Sequence, residues 1–254
     1  MIETQHLTKA FGEKVVVNDL SLSVAQGEFF VFLGPNGAGK TTTIKMLAGL
    51  LLPTQGKIRI CGCDTQRDGV HARAFLSYIP DQPYLYDKLT GREFLDFVAH
   101  VYGMDRGRRA SAIEQLIETF EMKEYIDELC QTYSHGMKQR VVIASALVHE
   151  PRVIVIDEPM VGLDPKSTRL TKDILRDRAR RGATLFMSTH TISLAEEVAD
   201  RIGIIQRGTM VAYGTPAEIR RAGHTDARLE DAFLRLTAEE HAPQGGTDAQ
   251  RNRS

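Results

Sequence analysis

The sequence predicts an α/β layered fold built on a mainly parallel sheet, and three features of the chain predict it. Short β-branched runs alternate with amphipathic helical patterns, as strands covered by helices do. Several runs are apolar at every position instead of every second one, the look of a strand covered on both faces. One such run, Phe29–Leu33, passes directly into a glycine-rich turn and then a helical pattern.

Taken in order, the expected strands are Ile2–Leu7, Val15–Val17, Phe29–Leu33, Lys57–Ile60, Phe75–Ile79, Val153–Ile156, Thr184–Ser188, Ile202–Gln206 and Met210–Tyr213. A helix is expected to start near Lys40 and to run through Ile44, Leu47 and Leu50. From about Pro83 to Glu150 the pattern changes to three helical faces with no strand. Thr90-Gly91-Arg92-Glu93 fits a capping box, and Phe94, Leu95, Phe97, Val98 and Val101 follow at helical spacing. Ile113, Leu116, Ile117 and Phe120 mark a second face, and Val141–Val148 a third. Residues 83–150 are thus expected to form a helical subdomain inserted into the sheet domain. Thr215-Pro216-Ala217-Glu218 joins a capping box to a proline at the first helical position, which predicts a short terminal helix. One domain over residues 1–238 is expected, followed by a polar, disordered tail over 239–254.

With 254 residues, 42% hydrophobic and 26% charged, the chain has the make-up of a soluble globular protein able to bury a full core. A net charge of −1 carries no footprint for nucleic acid, so no nucleic-acid partner is expected. The longest apolar stretches, Phe29–Leu33 and Val141–Val148, fall far short of the ~20 residues of a spanning helix. The start, Met1-Ile2-Glu3-Thr4, lacks the basic-then-apolar layout of a signal peptide. A cytoplasmic protein is expected, with any membrane role exerted through a partner. Cys61 and Cys63 flank Gly62 after a strand-like run and read as turn residues, because a structural metal site needs four convergent ligands.

Gly34-Pro35-Asn36-Gly37-Ala38-Gly39-Lys40-Thr41, followed by Thr42, matches the Gly-x-x-x-x-Gly-Lys-Thr phosphate-binding loop in its strand–loop–helix context. In the roles general to that loop class, the backbone N–H groups and the helix N-terminus face the phosphates. Lys40 reaches the β- and γ-phosphates, and the Thr41 hydroxyl is a hard oxygen ligand for Mg²⁺. Val153-Ile154-Val155-Ile156-Asp157-Glu158 is a buried strand that delivers two carboxylates at its C-terminal end, where open α/β sheets bind ligands. Asp157 is placed to hold Mg²⁺ and Glu158 to polarise water as a general base.

Together with Tyr133-Ser134-His135-Gly136-Met137-Lys138-Gln139-Arg140, these motifs resemble the ATP-binding cassette (ABC) ATPase family over about residues 1–236. The family's commonest signature is Leu-Ser-Gly-Gly-Gln before a basic helix, and this chain departs from it at Tyr133, His135 and Met137. The resemblance implies a phosphate-loop ATPase fold with N-terminal antiparallel strands beside the parallel sheet, and ATP and Mg²⁺ as ligands. It implies two cassettes paired head to tail, as a homodimer or a heterodimer, with Ser134, His135, Gly136 and Met137 acting on the ATP of the opposite subunit. Gln82 matches the glutamine that contacts Mg²⁺ or the attacking water. Asp164, in Gly162-Leu163-Asp164-Pro165, matches the loop that crosses to the other subunit. His190 matches the switch histidine at the γ-phosphate, and Phe11 the aromatic residue on adenine.

Met137–Arg140, Glu158–Pro165 and Leu229–Thr237 resemble the multidrug, antibiotic and nodulation-type efflux members. The resemblance therefore implies an ATP hydrolase that drives export through a polytopic permease on a separate chain, at the cytoplasmic face of the membrane. The face around Gln82, Tyr84 and Tyr86 is expected to meet that permease. The alternative is a non-transport ABC protein acting on a nucleic-acid or ribosomal complex. Such members carry two cassettes or long coiled coils, and this sequence has neither. A monomeric nucleotide kinase or GTPase has no use for Ser134-His135-Gly136 ahead of a basic helix. Because the family has glycine at position 135, replacing His135 by glycine is expected to leave or raise activity.

Overall fold

The antiparallel part comes first in the chain. β1 (Ile2–Phe11) pairs with β2 (Lys14–Val24) through a tight turn. β3 (Phe29–Leu33) leads to α1 (Lys40–Leu47), and β4 (Gln55–Ile60) returns to pair with β1. The computed structural model of the chain describes residues 1–223 and 228–238. The two-residue β5 (Cys63–Asp64) completes a sheet of order β2-β1-β4-β5. Cys61, at φ +52°, and Gly62, at φ +83°, form the turn between β4 and β5, with Cys63 opening the short return strand.

After α2 (Gly69–Ala74) comes β6 (Leu76–Ile79), and the helical segment follows it as α3 (Gly91–Val101), α4 (Arg106–Thr119), a 3-10 turn at Cys130–Thr132 and α5 (His135–Leu147). The chain then lays down β7 (Val153–Asp157), α6 (Pro165–Arg180), β8 (Thr184–Thr189), α7 (Ile192–Val198), β9 (Arg201–Gln206), β10 (Thr209–Gly214), α8 (Pro216–Ala222) and α9 (Leu229–Ala238). The second sheet has the order β10-β9-β3-β8-β7-β6. Its pairs are parallel except for β9 with the edge strand β10.

Every residue of β3, β7 and β8 is buried, as continuous apolar runs require. Period-2 alternation divides each strand between two cores. Phe29, Val31 and Leu33 face the helices of the 83–150 segment, α6 and α7. Phe30 and Phe32 face α1 and the antiparallel sheet, and pack with Phe186 of β8 at 5.1 and 5.5 Å between ring centroids. Such burial stabilises the fold by roughly 1.5–3 kcal/mol per large side chain. It anchors both strands whose ends carry the phosphate loop and the acidic pair.

Both expected capping boxes form: Thr90 with Glu93 starts α3, and Thr215 with Glu218 starts α8. Other expectations shift. The helix after Lys40 stops at Leu47, because Gly49 at φ +71° reverses the chain and the Leu50 N–H returns to the Lys45 carbonyl, leaving Leu50 exposed. β2 extends seven residues beyond Val17 in a buried/exposed alternation carried by Leu20, Leu22 and Val24. Phe75 closes α2, so β6 starts at Leu76. In α3, Phe94 and Leu95 are buried, but Phe97 and Val101 face solvent. The expected tail, residues 239–254, lies outside the described residues.

Candidate active site

The loop after β3 is shaped by close backbone approach. A Cβ on Gly34 would stand 2.4 Å from the Ile205 carbonyl oxygen, and one on Gly39 2.8 Å from that of Val16. Gly39 also sits at φ +108°, a conformation only glycine adopts without strain. Pro35, Asn36 and Gly37 form the exposed crest, Ala38 is buried beneath it, and Thr41 and Thr42 open towards solvent. α1 starts from Gly39 with no side-chain cap, so its first amides present an uncapped positive end. Lys40 is only 5% exposed and folds over the loop, donating to the carbonyls of Gly34 at 2.7 Å and Pro35 at 3.2 Å.

The parallel register of β7 with β8 sets Asp157 beside Ser188. Ser188 Oγ donates to Asp157 Oδ1 at 2.5 Å, and the nearby Thr41 hydroxyl also favours the ionised carboxylate. Asp157 Oδ2 is buried with no protein partner. Burial pushes the Asp157 pKa up, against those two hydroxyls and together with the nearby charges of Asp81 and Glu158. A buried carboxylate with an unmatched oxygen is costly unless a cation answers it. Asp157 and Thr41 therefore fit a hard divalent ion such as Mg²⁺.

Glu158 follows at φ +45°, uncommon for a residue with a side chain, and its N–H is held by the Ser188 carbonyl and hydroxyl, both at 3.3 Å. That backbone turns the carboxylate into the loop. Glu158 Oε1 lies 3.4 Å from Lys40 Nζ, and Oε2 lies 2.5 Å from His190 Nδ1. A cleft of about 240 Å³ opens beside them, lined by Glu158, Met160, Val161, Thr189, His190 and Leu194. Three residues expected to be catalytic from separate motifs, Lys40, Glu158 and His190, thus converge on one point.

The remaining predicted residues lie around this centre. Phe11 ends β1 and is 51% exposed, with Lys9 Nζ 5.0 Å from its ring centroid. Gln82 is exposed on the loop after β6. Ser134 caps α5, its hydroxyl accepting from the Met137 N–H at 3.3 Å, and both Ser134 and His135 are exposed. Gly136 faces open space, since the nearest atom to a Cβ there would be Leu163 Cδ2 at 4.0 Å. Asp164 caps α6 ahead of Pro165, accepting from the Ser167 N–H and hydroxyl, and these bonds hold its carboxyl below the usual carboxylate range.

The sequence profile of the ABC transporter family matches residues 17–161. The chain belongs to that family. It is 35% identical over 93% of its length to the probable multidrug ABC transporter ATP-binding protein YbhF of Escherichia coli K12, of which it spans 41%. It is 35% identical over 92% of its length to the linearmycin resistance ATP-binding protein LnrL of Bacillus subtilis, covering 78% of it. It is 38% identical over 86% of its length to the Nod factor export ATP-binding protein I of Paraburkholderia xenovorans, covering 72% of it. A solved ATP-binding subunit of an ABC transporter superposes with a TM-score of 0.88 at 33% identity, over 93% of this chain and 99% of that one. A second, an ATP-binding cassette in a dimeric post-hydrolysis state with ADP and Pi, gives 0.77 at 25% identity, over 85% and 98%.

As an ABC ATPase, the chain carries site residues that motif reading missed. Ser188 orders Asp157 and the Glu158 backbone together; its only sequence signal is a hydroxyl at the end of the apolar run before Thr189-His190. Tyr133, where the family commonly has leucine, is buried, and its hydroxyl clamps the start of α3. It accepts from the Gly91 N–H at 3.1 Å, and its one proton is shared between the carbonyls of Tyr125 and Glu128 at 2.8 and 3.0 Å. Gly91 is required there, since a Cβ would meet that hydroxyl at 2.8 Å.

Proposed function

We propose that the chain is the ATP-hydrolysing subunit of an exporter, working as one of two head-to-tail cassettes and driving a substrate through a polytopic permease on a separate chain. The convergence of Lys40 and His190 on Glu158 supports the hydrolytic half of this reading. ATP binds the uncapped start of α1 and the loop Gly34–Thr41, with the adenine against Phe11. Lys40 leaves its carbonyl partners for the β- and γ-phosphates. Thr41 and Asp157, with Gln82 as a further ligand, would hold Mg²⁺, which when bound would neutralise phosphate charge. Glu158 orients and deprotonates the attacking water, and His190 fixes the Glu158 carboxylate and meets the γ-phosphate. Phosphoryl transfer is largely positioning and electrostatics, so each group is expected to matter strongly.

Ser134 and Gly136 stand open at the start of α5, and in the pair they close over the ATP of the opposite subunit. Relatives named for a multidrug ABC transporter and for Nod factor export support export as the direction. Among the described residues no helix is long and apolar enough to cross a membrane. The exposed aromatic cluster of Tyr84, Tyr86 and Phe97, with Tyr86 5.9 Å from each of the others, offers the permease a contact face. The peripheral position at the cytoplasmic face follows from that contact.

Glu158→Gln tests the reading. It is expected to keep ATP binding, to lose at least about a hundredfold in turnover, and to accumulate as an ATP-dependent dimer in light scattering. Wild-type phosphate release would remove Glu158 as the base. A variant that binds ATP and stays monomeric would remove the paired sites.

A further inference from the structure

We propose that His135 is a positioning residue that fastens the signature helix α5 to the loop between Glu158 and Asp164. Its Nε2 lies 3.1 Å from the Val161 carbonyl oxygen. A carbonyl only accepts, so Nε2 carries the proton whether the ring is neutral or charged. Val161 is bonded on its other side as well, its N–H pointing 3.4 Å to the Glu158 carbonyl. One residue therefore stands between the catalytic base and the signature histidine.

The ring also rests on Gly162. A Cβ there would lie 3.0 Å from both Cδ2 and Nε2 of His135, and Gly162 sits at φ +76°. The loop is thus shaped to receive the imidazole. One turn along α5, on the same face, Gln139 Nε2 donates to the Pro159 carbonyl at 3.2 Å. Arg140 Nη2 next donates to Ser167 Oγ at 2.8 Å, and Ser167 bonds Asp164. Gln139 fixes the start of the loop and Arg140 its end, while His135 fixes the middle. Glycine, common at this position in the family, has no donor for that bond, so this fastening belongs to the histidine of this chain.

The consequence rests on the paired-cassette reading. Ser134 and Gly136 act on the ATP of the opposite subunit, and Glu158 acts on the chain's own ATP. His135 ties the two, so closure of one site sets the base of the other. The imidazole is exposed, so the fold does not depend on it.

The test uses the full chain and compares His135→Gly, His135→Gln and His135→Asn. Glutamine carries its amide nitrogen about as far from the backbone as imidazole Nε2; asparagine falls short of it. The bond to Val161 reverses the expectation drawn from the family's glycine: His135→Gly and His135→Asn are expected to lose about fivefold in kcat, the worth of one neutral hydrogen bond. KM for ATP and thermal unfolding should stay at parental values, and His135→Gln should recover the rate. A glycine variant as fast as the parent, or a glutamine variant as slow as the glycine variant, overturns the proposal. Adding Glu158→Gln separates the two layers. If that variant does not pair on ATP, the paired-cassette reading fails, while the ranking of glycine, asparagine and glutamine still decides the fastening.

Discussion

In the proposed function the centre at Lys40 and the start of α5 both meet a phosphate, yet the structure finishes them to different degrees. At the first, Lys40 is 5% exposed and the Glu158 side chain 15%, and Lys40, Glu158 and His190 already satisfy one another. Asp157 is fully buried with one oxygen left over. At the second, Ser134 and His135 are exposed, and a Cβ on Gly136 would find open space. Buried Lys40 and Asp157, the latter with a single unmatched carboxylate oxygen, suit a cation and an anion arriving together. An exposed helix start with a bare glycine is shaped for a surface. On the proposed paired-cassette reading, one chain carries a nearly complete binding site and the completing piece of another.

The sharpest way to break this contrast is Lys40→Ala. Removing the ammonium takes away a charge-assisted contact to phosphate and leaves Glu158 to His190 alone. Affinity for ATP, read by calorimetric titration, is expected to fall about tenfold to a hundredfold. An unchanged affinity would mean that the loop amides carry binding without the lysine.

Ser134→Asp probes the other side and separates its two roles. Aspartate caps a helix about as well as serine, so thermal stability is expected to move by less than about 1 kcal/mol. On the paired-cassette reading the added carboxylate would face the γ-phosphate held by the opposite subunit, and like charges repel at close range. ATP affinity at the chain's own loop should persist while ATP-dependent pairing and turnover fall. If pairing and turnover stay at the parental level, Ser134 is a helix cap and nothing more.

What could be read from the sequence follows from what is local. The strand–loop–helix of Phe29–Ile44 and the run Val153–Glu158 hold their meaning in contiguous residues, and β3, β7 and α1 stand where those patterns put them. The capping boxes at Thr90 and Thr215 are equally local. The pairing of Ser188 with Asp157 depends on the register of two strands 31 positions apart. His135 on Val161 and Gln139 on Pro159 depend on where a helix lands. Asp164, matched in the sequence only to the crossing loop, also starts α6, as Asp-Pro ahead of a helix does. Leu50 shows the converse: an apolar residue in helical phase is exposed because Gly49 ends the helix first.

The smallest effect tests the seam joining the helical segment to the sheet. His149, two residues past α5, stacks on Tyr102 at the end of α3, with 3.5 Å between ring centroids and 7° between planes. Its Nε2 lies 3.4 Å from Ser77 Oγ of β6, whose proton goes to the Ala146 carbonyl. Nε2 is therefore the donor, and protonation must fall on Nδ1, which is buried with no acceptor. Burial accordingly pulls the pKa from 6.5 down to about 4. The unfolded chain binds this proton more readily, so the stability tied to neutral His149 is complete above pH 6.5 and declines as the pH falls towards 4. The whole effect is at most about 3 kcal/mol, and less for a partly shielded ring. His149→Phe keeps the stack on Tyr102 and removes the titrating group. The difference between parent and variant denaturation curves, in which every other group cancels, should be flat above pH 6.5 and favour the variant increasingly below it. A difference independent of pH would mean that the seam admits the charged ring, and that the helical segment is less firmly joined to the sheet than its packing implies.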